Sequence, residues 1–288
     1  MSKILVTGAT GNLGNLTIKH LLNEKKVPAS QISALVRSEK KGENLASKGV
    51  ELRVGSYDDF DSLKEAFTGI DKLLVVSSPD LDNTNRLKQH YNAVMAAKAS
   101  DVKHIVLVSI ADGDSRVFGL EDVDMATEHM IQAVNMPYTI MRNGVYLDEI
   151  IPDLKSAVKR GKLVSATKEK EFNFVLRSDL ALANATVLSE EGHENKIYEL
   201  VSPELFNYPK IASILTELTG QTIDYKESPA DDVINNLVNT GFNKEVAEML
   251  VHSFQENIAN GKFQDTSNDL TKLIGERSLK DSIATLIK

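Results

Sequence analysis

Short apolar runs recur through the first half of the chain at the length of a β-strand. Their central residues are mostly Val, Ile and Leu in continuous order, without regular alternation with polar residues. Such runs are typical of strands that are buried on both faces of a parallel sheet. We therefore predict six strands, at Ile4–Thr7, Ile32–Val36, Val50–Val54, Lys72–Ser77, His104–Ser109 and Tyr138–Met141.

Longer amphipathic stretches separate these runs. Apolar residues recur every three or four positions, the spacing of one helix face, in Leu13–Leu22, Asp61–Phe67, Asn83–Ala99 and Glu121–Val134. Strands and helices that alternate so regularly are typical of a parallel sheet with helices on both faces. We therefore predict an α/β fold with a Rossmann-type doubly wound parallel sheet.

The pattern changes after about Gly144. Helical stretches near Ile150–Lys159 and Asp179–Leu188 are interleaved with short runs at Glu171–Leu176 and Lys196–Val201, and the chain from Asn207 onward is nearly all helix-like. We expect residues 1–145 to form the sheet domain, with residues 177–201 returning to it. Residues 146–176 and 202–288 are then expected to form a smaller, mostly helical C-terminal lobe.

Composition narrows the classes of function. The 288 residues include no cysteine, which excludes disulfides and thiolate chemistry, and the six histidines lack metal-binding spacing, so we predict no metal site. The net charge of -8, without a block of basic residues, argues against a nucleic-acid partner. The sequence shows neither a secretion signal nor a run of eighteen apolar residues, so we expect a cytoplasmic protein without membrane contact.

The stretch GATGNLG at residues 8–14 follows the first predicted strand and precedes the first predicted helix. This placement is typical of a dinucleotide-binding loop, because glycines let the backbone turn tightly and approach a pyrophosphate at the helix N-terminus. A glycine-rich turn without a ligand is the alternative. A Walker-type phosphate loop fits less well, since no Lys-Ser or Lys-Thr follows Gly14.

The end of the second strand indicates which dinucleotide binds. Arg37 follows this strand, about twenty residues beyond the glycine loop. A guanidinium group can bind the 2'-phosphate of NADPH with two hydrogen bonds, whereas an NAD site usually presents an Asp or Glu there. We therefore predict NADPH as the cofactor, while Glu39 keeps NADH possible. A solvated surface arginine is the alternative interpretation of Arg37.

Further cofactor contacts are expected from the loops at the carboxyl ends of the strands, where doubly wound sheets bind their ligands. These loops contain Tyr57 and Asp58 after the third strand and Ser77, Ser78 and Pro79 after the fourth. Ser109 follows the fifth strand, and Arg142, Asn143 and Gly144 follow the sixth. Ordinary loop polarity would explain the same residue types, so their position carries this prediction.

Several motifs together resemble one protein family. The chain contains, in order, GATGNLG, LVR at 35–37, GSYDD at 55–59, LLVVSSPD, AAKASDVKHIVLVS, PYTIMRNGVY and EEGHENKIYELVS. This series is similar to the NmrA-like atypical short-chain dehydrogenases, in particular their quinone oxidoreductase and triphenylmethane reductase branch. The likeness extends over almost the full length, and GxxGxxG is the glycine spacing of these relatives.

The resemblance implies a set of cofactor-binding residues. They belong to the glycine loop, the arginine after the second strand, the Ser-Ser segment, the RNG-x-Y segment and an arginine at the start of a later helix. On this sequence they are Gly8, Ala9, Thr10, Gly11, Asn12, Leu13, Gly14, Arg37, Ser77, Ser78, Pro79, Asn143, Gly144, Val145, Tyr146 and Arg177. Val145 stands where the quinone enzymes tend to have an aromatic residue, which leaves the substrate open.

The Tyr-x-x-x-Lys pair of ordinary short-chain dehydrogenases is missing. None of the seven tyrosines has a lysine four residues later; Tyr138 is followed by Arg142, and we expect Tyr138 to pack inside its strand. The region where the pair would fall contains Asp124 and Glu128, one helical turn apart. These carboxylates could form an acid and base pair, but we favour an exposed acidic helix surface.

Chemistry without a proton-transferring pair suits acceptors whose reduced product is a stabilised anion, because solvent can protonate that product later. Quinones and cationic dyes meet this condition, so we predict an NADPH-dependent reductase of a quinone or similar conjugated acceptor. We place Tyr146 at the acceptor, by stacking or hydrogen bonding, with Asn143 as a second positioning residue; a packed interdomain tyrosine is the alternative. A non-catalytic NAD(P)-binding redox sensor that regulates a protein partner remains the competing function, and a sugar epimerase is disfavoured.

Overall fold

The structure is a computed structural model that describes residues 2–288 and divides the chain into two compact units. The first unit consists of the chain up to Asn143 together with Ser178–Leu200, and the second consists of Gly144–Arg177 and Val201–Lys288. The chain passes between the units at 143/144, 177/178 and 200/201, near the predicted boundaries. The assignment of cofactor binding to the first unit and substrate binding to the second stays a prediction.

The first unit is built on a seven-stranded sheet in which every neighbouring pair is parallel. Its strands, numbered along the whole chain, are β1 (Ile4–Val6), β2 (Ile32–Val36), β3 (Glu51–Val54), β4 (Lys72–Val75), β5 (His104–Ile110), β6 (Tyr138–Asn143) and β10 (Lys196–Leu200). The order is β10-β6-β5-β4-β1-β2-β3. The predicted doubly wound parallel sheet is confirmed, and its winding reverses between β1 and β4.

The helices of the first unit are α1 (Asn12–Asn23), α2 (Glu39–Ala46), α3 (Phe60–Phe67), α4 (Asn83–Ala99), α5 (Glu121–Ala133) and α7 (Arg177–Ser189), whose first residue belongs to the second unit. Helix α2 escaped prediction. Its sequence, EKKGENLA, contains one large apolar residue, Leu45, so no repeat of apolar positions marks it as a helix.

The central strands and two helices share one apolar core. Leu5, Leu73 and Ile105 of the sheet pack with Phe67 of α3 and Ala97 of α4, and all five side chains are buried. Tyr138 packs partly buried against this cluster, as predicted from its place in a strand. The sheet is therefore held from the α3 and α4 side by side chains whose apolar spacing was visible in the sequence.

The second unit contains four short strands and most of the remaining helices. The strands are β7 (Val145–Tyr146), β8 (Lys162–Ser165), β9 (Phe174–Val175) and β11 (Asp224–Glu227), paired as β7 with β9 and β8 with β11. The helices are α6 (Ile151–Arg160), α8 (Tyr208–Thr219), α9 (Ala230–Asn239), α10 (Lys244–Met249), a π-helical segment (Leu250–Gln255), α11 (Glu256–Ala259), α12 (Asp269–Ile274) and α13 (Leu279–Ile287).

Two predictions for this unit are corrected. Strand β11 interrupts the region predicted to be nearly all helix, because its sequence DYKE is stabilised by pairing with the distant β8. The run predicted at Glu171–Leu176 forms a strand only at Phe174–Val175. Phe172 instead makes an isolated antiparallel bridge to Phe206. Among residues 2–288, no helix is both long and apolar enough to span a membrane.

A buried carboxyl group lies inside the second unit. Asp153 of α6 accepts hydrogen bonds on Oδ2 from the Tyr208 hydroxyl at 2.6 Å and from Gln255 Nε2 at 3.1 Å. Its Oδ1 has no hydrogen-bond partner within residues 2–288. Burial raises the pKa of Asp153 to about 6, against an ordinary value of 3.8. The folded protein therefore holds this proton more tightly than the unfolded chain.

We predict that Asp153 makes the protein less stable as the pH rises through 6. The free energy of unfolding of the wild type should fall by about 2 kcal/mol relative to that of Asp153→Asn between about pH 4.5 and pH 8, because only the wild type must bury a charge. Urea titrations of both proteins measure this difference. Asp224→Asn, at an exposed carboxylate, is the control. Parallel pH profiles for wild type and Asp153→Asn would contradict the prediction.

Candidate functional site

The loop between β1 and α1 has a backbone that favours glycine at two positions. Gly8 has a φ of +57°, in the left-handed region that favours glycine. A Cβ atom on Gly14 would lie 2.4 Å from the carbonyl oxygen of Gly8, which is backbone and cannot move aside. Gly11 is less restricted, with a φ of -82° and a Cβ contact of 3.2 Å. The loop is therefore tight because α1 packs against the end of β1.

Helix α1 begins without a side-chain cap, in contrast to several other helices of the chain. Asp59 accepts a hydrogen bond from the Ser62 amide at the start of α3, and Asp82 accepts two at the start of α4. The corresponding residue of α1 is Gly11, which has no side chain to offer. Gly8, Thr10, Gly11 and Asn12 are exposed, whereas Ala9, Leu13 and Gly14 are buried. The positive end of this helix is thus presented by bare backbone, which is the arrangement that binds a phosphate.

A cycle of hydrogen bonds connects the ends of β1 and β4 to the loop after β3. The Val76 amide donates to Thr7 Oγ1 at 2.8 Å, and the Tyr57 hydroxyl donates to the Val76 carbonyl at 2.8 Å. Thr7 Oγ1 and the Tyr57 oxygen lie 2.6 Å apart, so the threonine hydroxyl closes the cycle by donating to the phenol. Burial raises the pKa of Tyr57, which keeps this phenol protonated. Tyr57 therefore links the ends of β1 and β4, the two strands between which the winding of the sheet reverses. Its position in a loop did not indicate this structural role.

Ser78 is buried, and its polar groups are bonded to helix α4. Its amide donates to His90 Nε2 at 3.0 Å, and its hydroxyl donates to Gln89 Oε1. Because Nε2 accepts, His90 carries its proton on Nδ1, which lies 2.8 Å from Thr127 Oγ1. Burial and the neighbouring Arg86 lower the pKa of His90 to about 4, so the ring stays neutral, as this bonding requires.

Asp124 and Glu128 are not the exposed acidic surface that we favoured from the sequence. Asp124 is 4% exposed and Glu128 is 1% exposed, and each carboxylate is paired with an arginine. Arg86 binds both oxygens of Asp124 at 2.9 and 3.0 Å. Arg142 reaches Glu128 Oε2 at 2.7 Å. The prediction was wrong because the partners, 38 and 14 residues away, have no periodic relation to α5.

Asn143 ends β6 at the carboxyl edge of the sheet and is 4% exposed. Its backbone carbonyl accepts a hydrogen bond from the Ala111 amide at 2.9 Å. Both polar atoms of its side chain, Oδ1 and Nδ2, are buried without a hydrogen-bond partner within residues 2–288. A buried amide without partners costs about 1 to 3 kcal/mol for each unsatisfied group, so such a side chain is ordinarily retained for a ligand or a water molecule.

Arg37 and Asp58 lie at the other side of the same edge. Arg37 follows β2, is exposed, and has no hydrogen bond or ion pair to any residue in the described part of the chain. Asp58 is exposed and accepts a hydrogen bond from Gln89 Nε2 at 2.9 Å. Gln89 thus joins two of the predicted cofactor residues, Asp58 and Ser78, while Pro79 is exposed beside them.

In the second unit, the predicted residues Tyr146 and Arg177 lie together. The guanidinium carbon of Arg177 is 4.3 Å from the centre of the Tyr146 ring, in a cation–π contact. Arg177 also binds Glu149 at 2.8 Å and donates its backbone amide to Asp148 Oδ2 at 2.9 Å. Val145 pairs with Phe174 in the short β7–β9 sheet, and Gly144 precedes it. The charge of Arg177 is therefore already balanced by carboxylates.

The second unit also contains a cavity of about 600 Å³. Its lining includes Lys168, Glu227, Pro229, Glu256 and Asn260, but none of the residues predicted to bind cofactor or acceptor. Glu227 is bonded to the Tyr225 hydroxyl at 2.6 Å, and Glu256 to His252 at 3.0 Å. The lining is therefore mixed, because Ala166, Ala230 and Ala259 stand beside these charged side chains.

Comparison with known families identifies the fold family. A model of the NmrA-like family matches residues 1–283, almost the whole chain. The chain belongs to the NmrA-like family.

Several relatives resemble this NmrA-like protein over their full length. Quinone oxidoreductase 2 of Escherichia coli (strain K12) is 36% identical over 285 residues, which cover 98% of each chain. A triphenylmethane reductase from Citrobacter sp., solved in complex with NADP(H), is 41% identical, with 99% of each chain covered and a TM-score of 0.89. The NADPH complex of quinone oxidoreductase 2 from Escherichia coli has a TM-score of 0.84 and 35% identity, covering 99% of this chain and all of the other.

We predict that alanine substitutions at Gly11 and at Gly14 of this loop have unequal effects on stability. Gly14→Ala should lower the melting temperature strongly, because its Cβ would lie 2.4 Å from a backbone oxygen, and overpacking of this kind costs about 1 to 3 kcal/mol or more. Gly11→Ala, with its 3.2 Å contact and negative φ, should have a small effect. Thermal unfolding followed by circular dichroism compares the two variants. Equal losses would show that the close approach of Gly14 is not what constrains the loop.

Proposed function

We propose that this protein is an NADPH-dependent reductase of a quinone or a similar conjugated acceptor. The observation that carries the proposal is the buried side chain of Asn143, whose two polar atoms have no partner within residues 2–288. It stands at the carboxyl edge of the sheet, which also bears the uncapped glycine loop. Ligands of doubly wound sheets bind at this edge.

The residues of the first unit fit a dinucleotide. The bare backbone at the start of α1 would hold the pyrophosphate, because no side chain competes for its N–H groups. Gly8 and Gly14 keep side chains out of the loop where its own backbone segments approach each other most closely. Ser77, Ser78 and Pro79 would border the site without offering it a serine hydroxyl, since the hydroxyls of both serines are bonded within the protein.

The two candidate arginines differ in their availability for a phosphate. Arg37 is exposed and unpaired within the described residues, so its guanidinium can bind the 2'-phosphate that distinguishes NADPH from NADH. Arg177 is paired with Glu149 and covers the Tyr146 ring. We therefore assign phosphate recognition to Arg37, and to Arg177 the orientation of Tyr146.

The chain supplies positioning, and not a proton-transferring pair. NADPH, when bound, provides the hydride. The carboxylates of Asp124 and Glu128, where the usual pair would fall, are both occupied by arginines, so neither serves as a free acid or base. An acceptor such as a quinone tolerates this arrangement because its reduced form is a stabilised anion. Asn143 would orient the bound groups through its amide, and Tyr146 would shape the acceptor site.

The relatives support this choice of chemistry. The Escherichia coli relative is an NADPH-dependent quinone oxidoreductase, and the Citrobacter relative reduces triphenylmethane dyes. Both kinds of acceptor are conjugated and meet the condition stated above. Val145 and the cavity of the second unit do not select between the two acceptors, so the proposal covers quinones and similar conjugated acceptors together.

Arg37→Ala should weaken binding of NADPH far more than binding of NADH. A guanidinium that binds the 2'-phosphate with two charge-assisted hydrogen bonds contributes about 2 to 3 kcal/mol, so we expect a loss of about 30-fold or more for NADPH. Isothermal titration calorimetry with both cofactors measures the ratio. Lys40→Ala, another exposed cation nearby in the sequence, is the control for general charge. Equal losses for both cofactors would refute the assignment of Arg37.

Asn143→Leu should separate stability from activity. Removing an unsatisfied buried amide should leave the cofactor-free protein as stable as the wild type or more so, while NADPH affinity and quinone-dependent NADPH oxidation fall about tenfold or more. The matched control is Asn184→Leu on α7, because Asn184 is also buried with both side-chain atoms unpartnered in the described chain, but is not a predicted site residue.

The same assay decides between the proposed reductase and the sensor. Thermal shift with NADPH and NADH establishes binding to the wild type, since a ligand held by the native state raises its apparent stability. Oxidation of NADPH is then followed with a small benzoquinone or naphthoquinone. Binding of NADPH without acceptor-dependent oxidation would reject the reductase and favour a redox sensor.

A further inference from the structure

Two clusters, each with a serine, a buried carboxylate and an arginine, connect α5 to the ends of neighbouring central strands. In the first, Ser77 follows β4 and its hydroxyl lies 3.0 Å from Asp124 Oδ1. Arg86 of α4 pairs with the same carboxylate and also donates from Nε to the Ser78 carbonyl at 3.1 Å. One arginine therefore holds both the carboxylate and the backbone of the segment that leaves β4.

The second cluster repeats this arrangement one helical turn later. The Ser109 hydroxyl near the end of β5 donates to Glu128 Oε1 at 2.5 Å. Arg142 of β6, which directly precedes Asn143, binds Glu128 through Nε and Nη2. Its Nη1 reaches Glu199 of β10 at 2.8 Å. Glu128 thus connects α5 with the carboxyl ends of β5 and β6.

These contacts leave neither carboxylate free to act as a general acid or base. Asp124 and Glu128 both accept hydrogen bonds from a guanidinium, and Glu128 also accepts one from the Ser109 hydroxyl. The single proton of the Ser77 hydroxyl is shared between Asp124 Oδ1 at 3.0 Å and the Val108 carbonyl at 2.8 Å. The guanidinium bonds fix the orientation of both carboxylates, and Glu128 fixes the direction of the Ser109 hydroxyl. Breaking either pair would leave an uncompensated charge in the interior, which is strongly unfavourable.

We infer that Asp124 and Glu128 are positioning residues, each acting through a strand-end serine and an arginine to hold the sheet edge where the cofactor binds. This inference rests on the proposed function. Asp124 and Glu128 are one turn of α5 apart, so one carboxylate reaches the serine after β4 and the other reaches the serine near the end of β5. The segment 76–80 and the end of β6 therefore keep their place when no ligand is present, and NADPH meets an edge that is already ordered.

Double-mutant cycles test whether the carboxylates act through the serines. The variants are Ser77→Ala, Asp124→Asn and their combination, and Ser109→Ala, Glu128→Gln and their combination. We expect each single change to raise the dissociation constant of NADPH about tenfold. Each double variant should resemble its single variants, because both changes break the same contact between serine and carboxylate. Losses that multiply to about a hundredfold would show independent effects and would overturn the inference.

Hydrogen exchange of the cofactor-free protein provides a readout that does not depend on NADPH. The amides of Val76, Ser77, Ser78 and Asp80 should exchange faster in Ser77→Ala and Asp124→Asn, while those in α1 should not change. Should Asp124→Asn fail to fold, Ser77→Ala and Ser109→Ala still decide, because both leave the ion pairs intact. The control is Thr139→Val, which removes a buried hydroxyl bonded to the His193 carbonyl near the start of β6; it should lower the melting temperature without changing NADPH affinity.

The outcomes are distinguishable. A wild type that does not bind NADPH would overturn the proposed function, and hydrogen exchange would then show separately whether the clusters order the edge. Unchanged exchange at residues 76–80 in Ser77→Ala and Asp124→Asn would overturn the inference even if NADPH binds. Faster exchange with unchanged NADPH affinity would also overturn it, because the edge held by the clusters would then not be the one the cofactor uses.

Discussion

Every polar group that the parallel sheet brings to its carboxyl edge must be hydrogen-bonded within the protein or be left for a ligand, because an unsatisfied buried group is costly. This protein satisfies nearly all such groups in its first unit internally. Ser77, Ser78 and Ser109 are bonded to α4 and α5, and Tyr57 closes a cycle across the winding reversal. Against this background, the unpartnered amide of Asn143 and the uncapped start of α1 indicate where a ligand belongs.

Charge is handled in the same way. The chain carries a net charge of -8, yet its proposed ligand is a phosphate-rich anion, so attraction has to be local. In the proposed function, helix α1 and Arg37 would provide that local attraction, whereas the carboxylates of α5 are paired with Arg86 and Arg142. Buried ion pairs contribute little net stability but strongly resist displacement of one partner. They are therefore suited to fixing an edge in place, which is the role proposed for them.

The second unit differs in character from the first. Its strands are short, and an aromatic cluster of Phe172, Phe174, Phe206 and Tyr208 fills its interior. Arg177 joins Tyr146 through a cation–π contact and Glu149 through an ion pair, although it lies 28 residues beyond Glu149 in the chain. A ring whose orientation is set by a cation is a defined surface, and this is the basis for assigning Tyr146 to the acceptor.

The sequence by itself determined the parallel sheet, the glycine loop and the family, because these depend on apolar runs, on backbone freedom and on motifs that are local in the chain. Helix α2 was not predicted because Leu45 is its one large apolar residue. Strand β11 was not predicted because it is stabilised by pairing with the distant β8. Only the tertiary structure decided the state of Asp124, Glu128 and Asn143. Whether a carboxylate is exposed or paired, and whether an amide is satisfied or left open, depends on residues that folding brings together from separate strands and helices.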